Sequence, residues 1–553
     1  MLSRDDVEWL CHHPDAVADA EPLEFSKASE FADGATLRSV YGERGRVLAE
    51  FMVARRAARG VREIDAKVPG DVRSEWLVDS ESVQQATPVA IARYRAQRLA
   101  LSPSLQAGAL VHDVTCSIGS ELAALARRGL TAIGSDIDRG RVAMARHNME
   151  VLENVASTGR DHKSRSVRGS DGGSVRRFVR PLIVHADALC PVTRPAVVIA
   201  DPARRVQGRR ISHPADFIPP LPGLIDVWRR LPLGDRQVAT TLGSGRDGME
   251  GSCPELVIKC APGIDYSGWD GEVEIISVAG AVKEACLWTP GIAAATRGIR
   301  AQVCSHDGDT SQTDTRRDTH CADHSLERRV TRRATLIRAD GSVDMFTDRD
   351  PAIPENMVSA GMDVDARNDR SCDGGVCDTT VFSRHVSGRM GQYIVDPDGA
   401  IVRAGLVRQA AYRWGMWQID PHIAFLTGDT PPAGVLACEV IDSVPLSKVT
   451  RAMADRAPDT IEVLVRGVAV NPDHIRAKIM SAARKRRGKA SRGRQGSAAG
   501  PEKSAQGCGG LVSGGTQSGE YTLVITQVGE RNGHSSAVAF ICGPRVVGAS
   551  TTS

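Results

Sequence analysis

The chain predicts an α/β protein: a largely parallel sheet, a helical segment ahead of it and a small α+β domain after it. Three observations lead there. Apolar runs at 111–113, 130–136, 181–187 and 196–201 each end on a carboxylate, Asp113, Asp136, Asp187 and Asp201, the look of parallel strands buried on both faces. Between the first two runs lie a turn of small residues through Gly119 and an amphipathic stretch, 121–128, with Leu122, Leu125 and Ala126 on one face and Gly129 as its stop. Polar inserts then separate this region from a second foldable one that begins near Gln392.

Residues 1–100 carry helical signals. Val47, Leu48, Phe51 and Met52 recur at helical spacing beside Arg55, Arg56 and Arg59, and Thr87-Pro88 reads as a cap and first-turn pair ahead of Val89, Ile91, Ala92 and Tyr94. The arginines read as a solvated helix face, with a phosphate-tracking face as the alternative. The sheet region is expected over 101–350, and runs at 256–261, 273–278 and 285–288 complete about seven strands. Inserts at 156–177, 242–253 and 301–328, and a linker at 351–390, are polar with nothing to bury.

From 391 to 548 the chain again alternates strand and helix signals: Tyr393-Ile-Val, 423–427, 437–441, 461–465, a helix opened by Asn471-Pro472, then 522–526 and 537–541. The run RKRRGKASRGR at 484–494 and the Gly/Ser-rich stretch to 519 read as a disordered basic insert. Its charge suits either RNA phosphates or a merely solvated loop.

A length of 553 residues allows two to four domains, and the net charge of +3 excludes nothing about nucleic acid. The acidic start MLSRDDVEWLCHHPD is no signal peptide and no stretch of 18 apolar residues occurs, so a soluble, cytoplasmic protein without a membrane partner is expected. Thirteen cysteines scattered through apolar runs look reduced. Cys304, His306, His320, Cys321 and His324, like Cys372 and Cys377, match no zinc spacing, so no metal is expected.

Strand, small-residue turn, helix, strand and carboxylate make a nucleotide-cradling unit, with free N–H groups at the helix start and Asp136, 23 positions after Asp113, placed for ribose hydroxyls. A dinucleotide turn needs G-x-G-x-x-G, but Thr115, Ser117 and Ser120 occupy those places and only Gly119 is kept. That composition argues against a pyrophosphate.

Asp113-Val-Thr115-Cys-Ser117-Ile-Gly119 resembles the D-x-G-x-G-x-G motif of class I S-adenosylmethionine-dependent methyltransferases, with two glycines replaced. Further blocks resemble the bacterial members that carry a THUMP-like C-terminal domain: Gln84-Gln-Ala-Thr87-Pro, Ala200-Asp-Pro-Ala-Arg204-Arg, Lys259-x-Ala-Pro-Gly-Ile264, Val278-x-Gly280-x-Val-Lys-Glu284-Ala, Tyr393-Ile-x-Asp-Pro397, Asp420-Pro-x-Ile423-Ala-x-Leu-Thr427-Gly-Asp and Arg466-Gly-x-x-Val-Asn-Pro472-x-x-Ile-Arg476.

The resemblance implies a Rossmann-like methyltransferase sheet, S-adenosylmethionine as cofactor, and RNA, ribosomal or transfer, as partner. It implies cofactor contacts at Asp113, Thr115, Ser117, Gly119, Asp136, Asp187 and Ala188. By the same likeness Asp201, Pro202 and Arg204 stand at the acceptor, where related amino-methyltransferases have Asp/Asn-Pro-Pro and an aromatic, and a nucleobase nitrogen is the expected target. Lys259 and Glu284 fall at later strand ends that line the same cleft. The alternatives are an RNA-binding protein that has lost turnover, and a methyltransferase for a protein or small molecule.

Overall fold

The computed structural model describes residues 2–60, 63–158, 178–203, 205–206, 209–210, 213–231, 253–297, 330–353, 390–494, 519–531 and 534–549. The chain divides into two compact units, Met1–Thr347 and Asp348–Ser553.

The first unit is built on β1 (Val111–Asp113), β2 (Ala132–Asp136), β3 (Leu182–His185), β4 (Val197–Ala200), a two-stranded ribbon of β5 (Arg205–Val206) and β6 (Arg209–Arg210), β7 (Glu255–Cys260), β8 (Glu272–Val278), β9 (Ala281–Trp288), β10 (Thr331–Ile337) and β11 (Val343–Thr347). Nine of these form one sheet in the order β11-β10-β8-β9-β7-β4-β1-β2-β3. β3, β2, β1, β4 and β7 run parallel, and β9 is antiparallel to both neighbours. The chain winds outward from β1 to β3, then returns to β4 on the other side of β1, so a crevice opens where the winding reverses, at the carboxyl ends of β1 and β4. Every residue of β1 and β4 is buried, as the unbroken apolar runs require.

The expected sheet of about seven strands gains β10 and β11. The sequence Thr331–Ile337, TRRATLI, hides its strand character because its inward side chains are polar. Arg333 donates to Glu272 at 3.0 Å and Thr335 to Glu274 at 2.6 Å. The same two glutamates receive Arg98, at 2.5 and 2.8 Å, from the helix Val89–Leu99, and the Arg98 guanidinium lies 3.8 Å from the Trp288 ring centroid. A layer of paired charges therefore lies buried between this helix and the sheet.

One N-terminal reading is corrected. Arg55 is not part of a solvated face: it is buried, pairs with Glu21 and donates to the Ser74 carbonyl. The 1–100 stretch packs onto the sheet, for Leu48, Phe51, Trp76 and Leu99 belong to one cluster with Leu122, Met144 and Trp288. The helix expected from Thr87-Pro88 begins at Val89, with Pro88 at the cap position.

The second unit holds an eight-stranded sheet whose path runs Trp417–Asp420, Ile423–Gly428, Tyr393–Val395, Leu436–Pro445, His534–Cys542, Glu520–Arg531, Thr460–Arg466, with Val546–Val547 beside Leu436–Pro445. Helices Val449–Arg456 and Pro472–Arg494 pack Val449, Met453 and Ile479 against Leu523 and Ile525. The basic run at 484–494 is thus helical rather than a disordered insert. The apolar stripe of Ile475, Ile479 and Ala483 anchors the helix up to that point, and beyond it Arg486 pairs with Asp455 and Arg487 with Asp459. Residues 495–518 lie outside the described residues, as do nearly all of the other expected inserts, the cysteines and histidines weighed for zinc, and Arg204. Among the described residues no helix is long and apolar enough to cross a membrane.

Candidate functional site

The turn after β1 is closed by backbone donors that its small residues leave free. Thr115 N–H reaches the Asp113 carboxylate at 3.2 Å, Cys116 N–H the Ser135 carbonyl at 2.9 Å, and Ser117 N–H Asp136 Oδ2 at 3.0 Å. Ser117 (φ 49) and Gly119 (φ 83) take left-handed conformations, and Gly119 caps the helix Ser120–Arg127. Gly134 of β2 allows the close approach of that helix, for a Cβ there would stand 2.4 Å from Leu122 Cδ1 and 2.9 Å from Cys116 Cβ. Thr115 stands where the resembled motif has glycine, and its hydroxyl accepts the Asp201 N–H at 2.7 Å, which ties the turn to the end of β4.

A cavity of about 260 Å³ opens at this switch point, and it brings together Asp113, Thr115, Ser117, Asp136, Asp187, Ala188 and Asp201. The four strand-end acids therefore meet in one crevice. Gly119 and Pro202 do not line it; Gly119 shapes the helix start and Pro202 is buried behind Asp201. Asp187 accepts the Leu189 N–H at 2.9 Å, and the Ala188 carbonyl accepts Trp228 Nε1–H at 2.9 Å. After β4 the chain folds back through Ala203 and Ile218, which exchange backbone hydrogen bonds of 2.7 and 3.1 Å and place Ile218, Pro219 and Pro220 on the cavity wall.

Around Asp201 and Glu121 the charges are paired. Lys259 Nζ lies 2.8 Å from Asp201 Oδ2 and 4.0 Å from Glu121 Oε2, while the fully buried Arg95 holds Glu121 at 2.6 Å and also pairs with Glu284. Burial opposes the charge on Lys259, but Asp201, Glu121 and Glu284 outweigh it and hold its pKa above the ordinary lysine value. Burial raises Asp113 to about 7, against Lys259, which lowers it, and with a further push from Glu121. Asp136 is raised by burial too, although the N–H groups of Asp138 and Ser117 both donate to it.

Sequence reasoning missed Glu121, Arg95, Thr87 and Ile137. Two arginines on the Ile91/Tyr94 face of a helix were the available signal for Arg95. Ile137 lines the cavity while 63% exposed, an apolar surface open to whatever the cavity receives.

No protein-family model matches the sequence. A Mycobacterium tuberculosis protein (strain CDC 1551) described as an uncharacterized S-adenosylmethionine-dependent methyltransferase is 35% identical over 450 residues, which span 80% of this chain and 91% of that protein. Its counterpart from strain H37Rv matches to the same extent. The chain belongs to the S-adenosylmethionine-dependent methyltransferases. A crystal structure from Porphyromonas gingivalis W83, assigned as a methyltransferase, covers 94% of this methyltransferase and 99% of its own chain at 14% identity and a TM-score of 0.46. The T. thermophilus 16S rRNA N2 G1207 methyltransferase covers 37% of this chain and 43% of its own at 16% identity and a TM-score of 0.22. Family membership rests on the sequence relatives alone.

S-adenosylmethionine is the cofactor of this methyltransferase, and the cavity suits it. Two buried oxygens of lining residues, Thr87 Oγ1 and Glu121 Oε1, have no hydrogen-bond partner among the described residues. Buried polar atoms are rarely left so, and a ligand bearing an ammonium and ribose hydroxyls offers donors to both. The oxygens of Asp136 keep a lone pair each after accepting Ser117 and Asp138.

Proposed function

We propose that this methyltransferase modifies structured RNA, ribosomal or transfer. On this reading residues 101–350 carry the chemistry, 391–548 form a THUMP-like domain that holds the RNA, and the first hundred residues brace the sheet. Support for RNA comes from the THUMP-like resemblance together with Lys478, Arg484 and Lys485, exposed along one helix, which offer cations to phosphates.

Within the cavity we assign Asp113, with Glu121, to the cofactor's ammonium, Asp136 to its ribose hydroxyls, and Asp187, Ala188 and Ile137 to its adenine. Thr115, Ser117 and Gly119 supply the turn. When bound, the cofactor supplies an electrophilic methyl group. The chain's own work is to orient the acceptor and exclude water: Asp201 offers the acceptor a carboxylate oxygen, Pro202 stiffens the strand end, and Arg204 contributes a cation or stacking plane. The motif at Asp201 suggests a nucleobase nitrogen as target. The observation that carries the assignment is the meeting of Asp113, Asp136, Asp187 and Asp201 in one cavity beside the two orphaned oxygens.

Mass spectrometry of ribosomal and transfer RNA nucleosides from cells with and without the gene tests the reading. One methylated nucleoside missing from the deletion strain is expected; identical profiles would rule RNA out. A protein or small-molecule methyltransferase would show no RNA affinity that falls steeply with salt.

A further inference from the structure

Charge is unevenly shared in the cavity. Among the described residues it is lined by five carboxylates, Asp113, Glu121, Asp136, Asp187 and Asp201, and by two cations, Lys259 and Arg141. The ion pairs do not even this out. Lys259 Nζ lies 2.8 Å from Asp201 and 4.0 Å from Glu121, one cation against two acids. Arg95, behind Glu121, is shared with Glu284, and Arg141 is drawn to Glu81 at 3.1 Å. Asp113 and Asp136 are held by backbone N–H groups, from Thr115 in one case and from Ser117 and Asp138 in the other, which orient a carboxylate without cancelling its charge. Asp113, Glu121 and Asp136 are all buried, and Glu121 Oε1 has no hydrogen-bond partner among the described residues. A buried, unmet acid oxygen on a residue that lines the cavity is a place for positive charge on a ligand.

The cofactor and its spent form differ by one charge at one atom. In transfer, the acceptor's lone pair bonds to the methyl carbon, the carbon–sulfur bond breaks and its electron pair passes to sulfur. The sulfonium is left as a neutral thioether and the positive charge moves to the acceptor. Ammonium, carboxylate, ribose and adenine are the same before and after, so the two forms report on the field at sulfur alone. An excess of buried negative charge acts through a lower dielectric than water and is poorly screened by salt. It stabilises the sulfonium and does nothing for the thioether.

We propose that this cavity tells the cofactor from its spent form by charge: Asp113 and Glu121 hold the sulfonium and release the thioether, so that S-adenosylhomocysteine is a weak product inhibitor of this methyltransferase. This role rests on the assignment of the cavity to the cofactor made above and is independent of RNA. Transfer is not opposed by the same field, because the charge that leaves sulfur arrives at an acceptor beside Asp201, still within reach of the acids.

Calorimetry on the full chain at pH 8, above the value of about 7 at which Asp113 titrates, tests this with three ligands. They are S-adenosylmethionine, S-adenosylhomocysteine and sinefungin, an unreactive analogue with an amine-bearing carbon, protonated in water, in place of the methylated sulfur. S-adenosylmethionine is expected to bind at least about tenfold more tightly than S-adenosylhomocysteine, with sinefungin on the side of the cationic cofactor. Equal affinity for the two natural forms, or sinefungin on the side of the thioether, overturns the proposal and leaves the cavity as the cofactor site. No heat with any of the three in a folded sample overturns the cavity assignment and the proposal with it. Asp113→Asn and Glu121→Gln each remove one charge, and Asp113→Asn is free of the ion pairs that could make Glu121→Gln unstable. In a folded variant the preference for the sulfonium should fall by at least about threefold. If both variants lose the two natural ligands by the same factor, these acids serve the ammonium alone and their part in telling the two forms apart is overturned.

Discussion

Asp113 carries the clearest tension in the molecule. It ends a strand of wholly buried residues and lies 4% exposed, and burial raises its carboxyl from the ordinary 3.8 to about 7. A folded pKa above the unfolded one means that the stability this group contributes is fully present below pH about 4 and is lost as pH rises through about 7. Asp113→Asn is therefore expected to melt higher than the parent at pH 8 and at the same temperature as the parent at pH 4, by scanning calorimetry. On the proposed assignment the cofactor reverses the preference, because an ammonium beside Asp113 favours the carboxylate. Affinity for S-adenosylmethionine should rise between pH 5.5 and 7.5 in the parent and stay low and flat in Asp113→Asn; a parent affinity independent of pH would remove Asp113 from the ammonium site. Thr115 belongs to the same scale. Its hydroxyl accepts the Asp201 N–H, so Thr115→Val leaves a partly buried donor unmet and should cost about 1–3 kcal/mol in urea unfolding, with a larger loss in turnover than in cofactor binding.

Two helices show what the elements add. Val89–Leu99 carries Arg95 and Arg98 on its buried face, each held between two glutamates. Removal of one partner from such a pair strands the others in a low-dielectric interior, at a cost of about 3–5 kcal/mol. Arg98→Met should lose that much in denaturant unfolding, and the further change Glu274→Gln, which leaves Glu272 to pair with Arg333, should recover part of it; a loss under about 1 kcal/mol would mean that water reaches this layer. The helix Pro472–Arg494 is the other case. Arg484 and Lys485 are exposed on it, whereas Arg486 and Arg487 are engaged by aspartates. If they grip RNA, Arg484→Gln with Lys485→Gln should weaken transcript binding and reduce the slope of log K against log salt by about 2. An unchanged slope would assign the run to solvation alone.

At the scale of the whole molecule, the division at Thr347 gives each unit its own sheet and its own buried clusters. Residues 1–347 expressed alone are expected to fold and to bind S-adenosylmethionine within about threefold of the full chain by calorimetry, but to lose most of the salt-dependent affinity for RNA. Loss of cofactor binding in a folded fragment would show that the second unit completes the site.

The order of apolar runs and terminal acids already determined an α/β sheet with Asp113, Asp136, Asp187 and Asp201 at neighbouring strand ends, where they line one cavity, because strand burial and crevice position follow from local pattern and connectivity. The family likeness added the cofactor. Only the tertiary structure decided that Arg333, Arg95 and Arg98 face inward, since a charge looks solvated in sequence until its partner, as much as 189 residues away for Arg95 and Glu284, is brought beside it. It alone showed the basic run at 484–494 as the end of an anchored helix, because the apolar stripe that anchors it lies upstream. And it alone set Lys259 against Asp201, a pairing between the ends of two neighbouring strands that no local pattern records.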